Sequence, residues 1–238
     1  MSRSGVRIPS GAPILLRITM TEVKKLNIGF FGHSACTNSA PGSFIDYVVK
    51  HFDGIMVNKG VGQASEERLL IELKKHKNLD VAVIFHSRPI SLFLPRCDRD
   101  IDIRDDETKA YRSIYGNISS KFKTEEDFVA CIKYYRHYLY DHNLHVNRFQ
   151  GALLLIDSYC ANKVPITIHV LDNKHIIPWF TGFTSGTRST EIESIVRTDK
   201  GNDFNGLTVE GNKKVAEVLI DLITKQLAGS GRVDHTPM

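Results

Sequence analysis

The 238-residue chain has four cysteines, Cys36, Cys97, Cys131 and Cys160, and no two are close enough to form a Cys-x-x-Cys pair. That spacing supplies neither a zinc site nor a redox motif. It reads as free thiols in a reducing compartment, so a cytoplasmic protein is expected. No apolar run approaches the ~20 residues a membrane-spanning helix needs. The stretch Ile14-Leu15-Leu16 is too short for the core of a secretion signal, and no cleavage site follows it. Charge of one sign is also scarce: 31 basic against 27 acidic side chains leave a net charge of +4. Part of that excess is Arg3, Arg7 and Arg17, in a leading segment without periodicity. This is not the basic footprint of a nucleic-acid-binding protein. There is no internal repeat, no glycine-containing calcium loop and no Gly-x-Ser-x-Gly elbow.

Residues 1–19 carry neither helical nor strand period, and Val6-Arg7-Ile8 can be encoded by a sequence resembling the T-loop of a transfer-RNA gene. The natural start is therefore expected at Met20, with 1–19 a non-native or disordered extension. Residues 229–238 are polar and read as a flexible tail. Between them, 20–228 is expected to form one domain.

The first structured stretch is Leu26 to Phe31, whose nearly continuous apolar character suits a strand buried on both faces of a parallel sheet. Pro41-Gly42-Ser43 opens a helix carrying Phe44, Ile45, Val48, Val49 and Phe52 at helical spacing. Ile55 to Asn58 reads as a second strand. A second helix begins at Ser65-Glu66-Glu67, turns Leu69, Leu70 and Leu73 inward and ends in Lys74, Lys75, His76 and Lys77. Asp80 to Phe85 is a third buried strand. Strand, helix, strand, helix, strand in so short a span predicts two right-handed βαβ crossovers.

From Ser91 to about Lys123 the pattern breaks into mixed charge, with Asp98, Asp100, Asp102, Asp105 and Asp106 among Arg96, Arg99 and Arg104. It reads as a solvated excursion rather than a metal site. Thr124-Glu125-Glu126-Asp127 then caps a helix with Phe128, Ile132, Tyr135 and Leu139 on one face. Another helix runs from about Val146 to Ala161, with Leu153, Leu154 and Ile156 inward. Together these make a helical insertion over about 88–162. Pro165 to Leu171 is a further strand, Ile176 to Phe180 starts another or lines a rim, and Thr208 introduces a last helix with Val215, Val218, Leu219, Leu222 and Ile223 inward.

Three loops leave the carboxyl ends of the first three strands: Gly32-His33-Ser34, Gly60-Val61-Gly62-Gln63 and His86-Ser87-Arg88-Pro89. In a doubly wound, flavodoxin-like sheet of order 2-1-3 they converge on one crevice, and Asp203-Phe204-Asn205-Gly206, before the last helix, reaches the same edge. With these four blocks in order, the chain resembles the SGNH/GDSL hydrolase superfamily. The resemblance implies a three-layer α/β/α fold and places Ser34 at the nucleophile position, with His33 where the family has Asp. Asn58-Lys59-Gly60-Val61-Gly62-Gln63 follows the second block except that Gln63 replaces its last glycine, so Gly62 or Gln63 would donate to an oxyanion hole. The third block is matched by place alone, with Arg88 as the group to meet negative charge. In the fourth, Asp203 matches and Gly206 stands where the catalytic histidine belongs.

A serine hydroxyl needs a positioned base. His86, at the end of the strand beside the first, is the substitute the sequence offers, with Asp203 orienting it. Two readings follow from the resemblance. One is an atypical serine hydrolase of a small or carbohydrate ester, using Ser34, His86 and Asp203, without metal or organic cofactor. The other is a pseudoenzyme that keeps the fold and crevice as a binding or structural module. Neither a nucleic-acid nor a membrane partner is implied.

Overall fold

The computed structural model describes residues 25–32, 34–61, 64–86, 91–94, 99–102, 124–171, 182–201 and 204–229. The leading segment, residues 103–123, the stretch Ile176 to Phe180 and the tail beyond Gly229 lie outside the described residues.

The chain builds a five-stranded parallel sheet from β1 (Asn27–Gly32), β2 (Ile55–Gly60), β3 (Val81–Phe85), β6 (Ile166–Val170) and the two-residue β7 (Thr187–Arg188). Their order is β2-β1-β3-β6-β7. The expected 2-1-3 order is thus present and extended by two strands. Alternation within the central strands divides the core into two. Ile28, Phe30, Val81, Val83 and Phe85 point to one face, where they meet α1 (Phe44–His51), α5 (Thr190–Thr198) and α6 (Val209–Gly229) through Phe44, Ile45, Val48, Ile192, Val215, Leu219 and Ile223. Phe31, Ala82 and Ile84 point to the other, against Leu69 and Leu73 of α2 (Glu66–Lys75) and Ile156 and Cys160 of α4 (His142–Lys163). The three-layer α/β/α fold follows from burying the interior strands β1, β3 and β6 on both faces, worth roughly 1.5–3 kcal/mol for each large apolar side chain removed from water.

The helices start where serine and threonine can accept backbone N–H groups. Ser43 Oγ accepts from Asp46, Ser65 Oγ from Arg68, Thr124 Oγ1 from Asp127 and Ser189 Oγ from Ile192. Helix α4 lies within the stretch read as an insertion, yet it packs on the sheet as the crossover helix between β3 and β6. The charged excursion carries an antiparallel hairpin, β4 (Ser91–Leu94) with β5 (Arg99–Asp102), where only a loop was expected. Helix α3 (Glu125–Tyr134) passes into a π-helical turn, Tyr135–Leu139. The wider turn rotates later side chains off the expected face, leaving Ile132 buried and Leu139 exposed. Leu154 is also exposed, because the apolar run of α4 is broader than the stripe the sheet covers.

Two glycines set the carboxyl edge. Gly32 has φ +146°, and a methyl there would strike the Phe85 carbonyl of the neighbouring strand. At Gly60 a methyl would strike the Cys36 carbonyl and the Thr37 nitrogen, because the turn after β1 folds directly onto the end of β2. Gly60→Ala is expected to lower stability by about 1–3 kcal/mol through this overpacking; urea unfolding with an unchanged midpoint would contradict the close approach.

Candidate functional site at the carboxyl edge of the sheet

Beyond Gly32 the chain makes a single 3-10 turn, Ser34–Cys36, so Ser34 stands at the carboxyl end of β1, an interior strand of the sheet. The turn is pinned from three sides. Val61 N–H donates to the Gly32 carbonyl at 2.8 Å, joining the ends of β1 and β2. Ala35 and Cys36 are buried in the α1/α6 core. Asn205 accepts from Asn38 N–H at 2.7 Å through Oδ1 and donates from Nδ2 to the Asn38 carbonyl at 2.9 Å. Asn205 sits at φ +61°, a left-handed conformation that asparagine tolerates, inside the turn Phe204–Gly206. The first and last sequence blocks are therefore brought together as expected. Burial pushes the Cys36 thiol upward, so it stays protonated and is no alternative nucleophile beside Ser34.

Of the other residues singled out in the sequence, His33, Gly62, Gln63, Arg88 and Asp203 lie outside the described residues. Within the fourth block, Asn205 is the side chain seen to reach the turn after β1. Thr208, three residues later, caps α6: its Oγ1 donates to Asp199 Oδ2 at 2.8 Å and accepts from Gly211 N–H at 3.0 Å. Neither Asn205 nor Thr208 carries an ionisable group.

His86 follows β3, and its backbone N–H still donates to the Val170 carbonyl at 2.9 Å. Because Phe85 points into the α1/α6 core, the His86 side chain turns to the opposite, α2 face. It is 3% exposed and bonded at both ring nitrogens. Nδ1 lies 2.9 Å from Glu66 Oε2, at the first turn of α2, and Nε2 lies 2.8 Å from His169 Nδ1, on β6. His169 Nε2 in turn lies 3.1 Å from the Ser185 carbonyl. Ser185 and Thr184 are held by Asp157 of α4, whose carboxylate accepts both backbone N–H groups at 2.8 Å and both hydroxyls at 2.5 and 2.6 Å.

The hydrogen-bond directions in this chain can be read from its Ser185 end. A carbonyl oxygen only accepts, so His169 Nε2 carries a hydrogen. Burial first, and the adjacent His86 next, hold His169 well below the usual imidazole range, so the ring is neutral and its Nδ1 is bare. His86 Nε2 must then donate to it. Burial tends to raise Asp157, but its bonds from Ser185 and Thr184 outweigh that and hold it below the usual carboxylate range.

The sequence reading missed Glu66, Asp157, His169 and Ser185. Their signal was polarity out of pattern: His169 interrupts the apolar run Ile166–Val170, and Glu66 and Asp157 occupy buried positions of apolar helix faces. Among the described residues no cluster of three or more metal-ligating side chains is found, and no helix is long and apolar enough to cross a membrane.

His169 gives stability a definite pH dependence. Its folded value is depressed, so an unfolded imidazole, near pH 6.5, takes up a proton before the folded one does. Stability is therefore expected to fall as pH drops below about 6.5, and to level off once the folded value is passed. His169→Gln, which keeps a donor and an acceptor but does not titrate, should remove that slope in urea unfolding series; a slope of equal size in the variant would assign it elsewhere.

No family model matches the chain, and no curated protein matches it in sequence. Solved structures are similar in architecture. A catalytic mutant of an acetylxylan esterase from Geobacillus stearothermophilus aligns with a TM-score of 0.42 at 11% identity, over 83% of this chain and 94% of that one. A protein from Desulfitobacterium hafniense, described as lipolytic and of the G-D-S-L family, aligns at 0.33 and 11%, over 83% and 99%. An acetyl xylan esterase from Butyrivibrio proteoclasticus aligns at 0.38 and 11%, over 87% of this chain and 65% of that one.

Proposed function

We propose that this chain is an SGNH-hydrolase-like binding module. Its carboxyl-edge crevice, built around the Ser34 turn, would hold a small ester-bearing ligand, with a carbohydrate ester as the class the family resemblance implies, and would not turn it over by serine–histidine–acid catalysis. The observation that carries this reading is that both ring nitrogens of His86 are already engaged. A general base must present a free nitrogen to the serine hydroxyl. His86 Nε2 is bonded to His169 Nδ1, and His86 Nδ1 to Glu66 Oε2. The Ser34 turn is packed toward the α1/α6 face while the His86 ring lies on the α2 face. Gly206 offers no side chain, and Asn205 and Thr208 cannot take a proton at neutral pH.

A second reading is favoured by one feature. Glu66 bonded to His86 Nδ1 is the acid–imidazole half of a hydrolytic triad, standing at the end of the strand beside β1. If the His86–His169 bond broke and the ring turned, a Ser34–His86–Glu66 ester hydrolase would result.

A fluorophosphonate probe separates the two. No covalent adduct is expected from mildly acidic to mildly basic pH, and hydrolysis of 4-nitrophenyl acetate should not exceed that of Ser34→Ala. An acetylated oligosaccharide should nonetheless raise the melting temperature in a concentration-dependent way. Labelling that disappears in both Ser34→Ala and His86→Ala would overturn the binding-module reading in favour of the hydrolase.

A further inference from the structure

The segment Gly182–Gly186 crosses the two histidines as a short strap. Phe183 lies flat on His169, with ring centroids 3.7 Å apart and planes within 5°, and on His86 at 5.0 Å and 14°. Gly182 and Gly186 have φ of +119° and +72°, so each end of the strap is a residue free to adopt backbone angles closed to others. Between these ends the strap is fastened twice. Thr184 and Ser185 are bonded to Asp157 on α4, and the Ser185 carbonyl accepts from His169 on β6.

We infer that the hydrogen-bonded His86–His169 pair forms a proton-operated latch on this strap, closed while His169 Nδ1 is bare and opened when that nitrogen takes up a proton. The next proton has one bare ring nitrogen to occupy, Nδ1 of His169. Once it is there, an N–H faces an N–H across a 2.8 Å contact. A positive charge is thereby placed in a buried site, where it is costly without a partner, on a ring 5.1 Å from His86 and nearly parallel to it. Separation of the rings removes the surface on which Phe183 lies.

The groups around the pair leave this response to it. From α2 comes Glu66, already bonded to His86. From α4 comes Asp157, whose oxygens are occupied by four strap donors, and Cys160, whose thiol burial pushes up to about 12 and keeps neutral. From β7 comes Arg188, whose guanidinium donates to the Leu171 carbonyl and to Glu193. Asp157 is held below the usual carboxylate range while His169 responds below the usual imidazole range, so the two fastenings release in different pH intervals.

Hydrogen exchange on the full chain tests the latch. After correction for intrinsic rates, protection of the Thr184 and Ser185 amides is expected to fall about tenfold between about pH 7.5 and about pH 5, while β1 and β3 remain the more protected. His169→Gln should abolish this fall, and Glu66→Gln should displace it to lower pH. A fall of the same size in His169→Gln, or none in the natural chain, would overturn the inference. Should the variants fail to fold, the imidazole nitrogen resonances of the natural protein decide: the His169 resonances must show exchange with a protonated form over the interval in which protection falls, and a strap that opens while they show none would equally refute the latch.

Discussion

The structure depends on β1 being enclosed in every direction except one. It is paired on one side with β2 and on the other with β3, and Ile28, Phe30 and Phe31 are fully buried on its two faces. A strand so placed can contribute chemistry only from its carboxyl end, where the ladder stops and backbone groups become available. Gly32 permits the departure and Gly60 permits the Ser34–Cys36 turn to fold back onto the sheet, so the location of this turn is a consequence of how the core is buried. Alternation does the rest: Phe85 packs into one core, and the next residue, His86, is thereby delivered to the other.

That alternation explains which parts of the molecule were legible in the sequence. Strands β1 and β3, helices α1, α2 and α6 and their serine and threonine caps follow from local apolar period and capping chemistry, so they were read nearly to their ends. The sheet order followed from three strands and two crossovers. Strand β7 was invisible because two residues carry no period, and α5 was passed over although Ser189-Thr190-Glu191 has the character of a helix start. The meeting of Ser34's turn with Phe204–Gly206 was legible from block order. The engagement of His86 was not, since its partners come from positions 20 and 83 residues away. Long-range polar pairing leaves in one sequence only the mark of a polar residue where an apolar one belongs.

The buried polar chain shows how strongly such groups are constrained. Leaving a buried donor or acceptor unpaired costs about 1–3 kcal/mol. From Asp157 through Ser185, His169 and His86 to Glu66, each member is paired, and one carbonyl at the end fixes the direction of the hydrogen bonds behind it. A histidine held in this way is part of the fold's interior, and whatever chemistry it performs is tied to the packing of α2, β6 and the strap.

The two hydrogen bonds between Asn38 and Asn205 join residues 167 positions apart. Contacts of such sequence separation are closed late, because the entropy of bringing distant segments together has to be met before they stabilise anything. On the ribosome the β1–α1–β2–α2–β3 half of the sheet can assemble while the carboxyl-terminal third is still being made. The wall of the crevice beside Ser34 is then completed only when the Phe204–Gly206 turn and α6 arrive. A nascent or truncated chain therefore presents Ser34 on a half-built edge, and the junction of its turn with Phe204–Gly206 is a property of the finished chain alone.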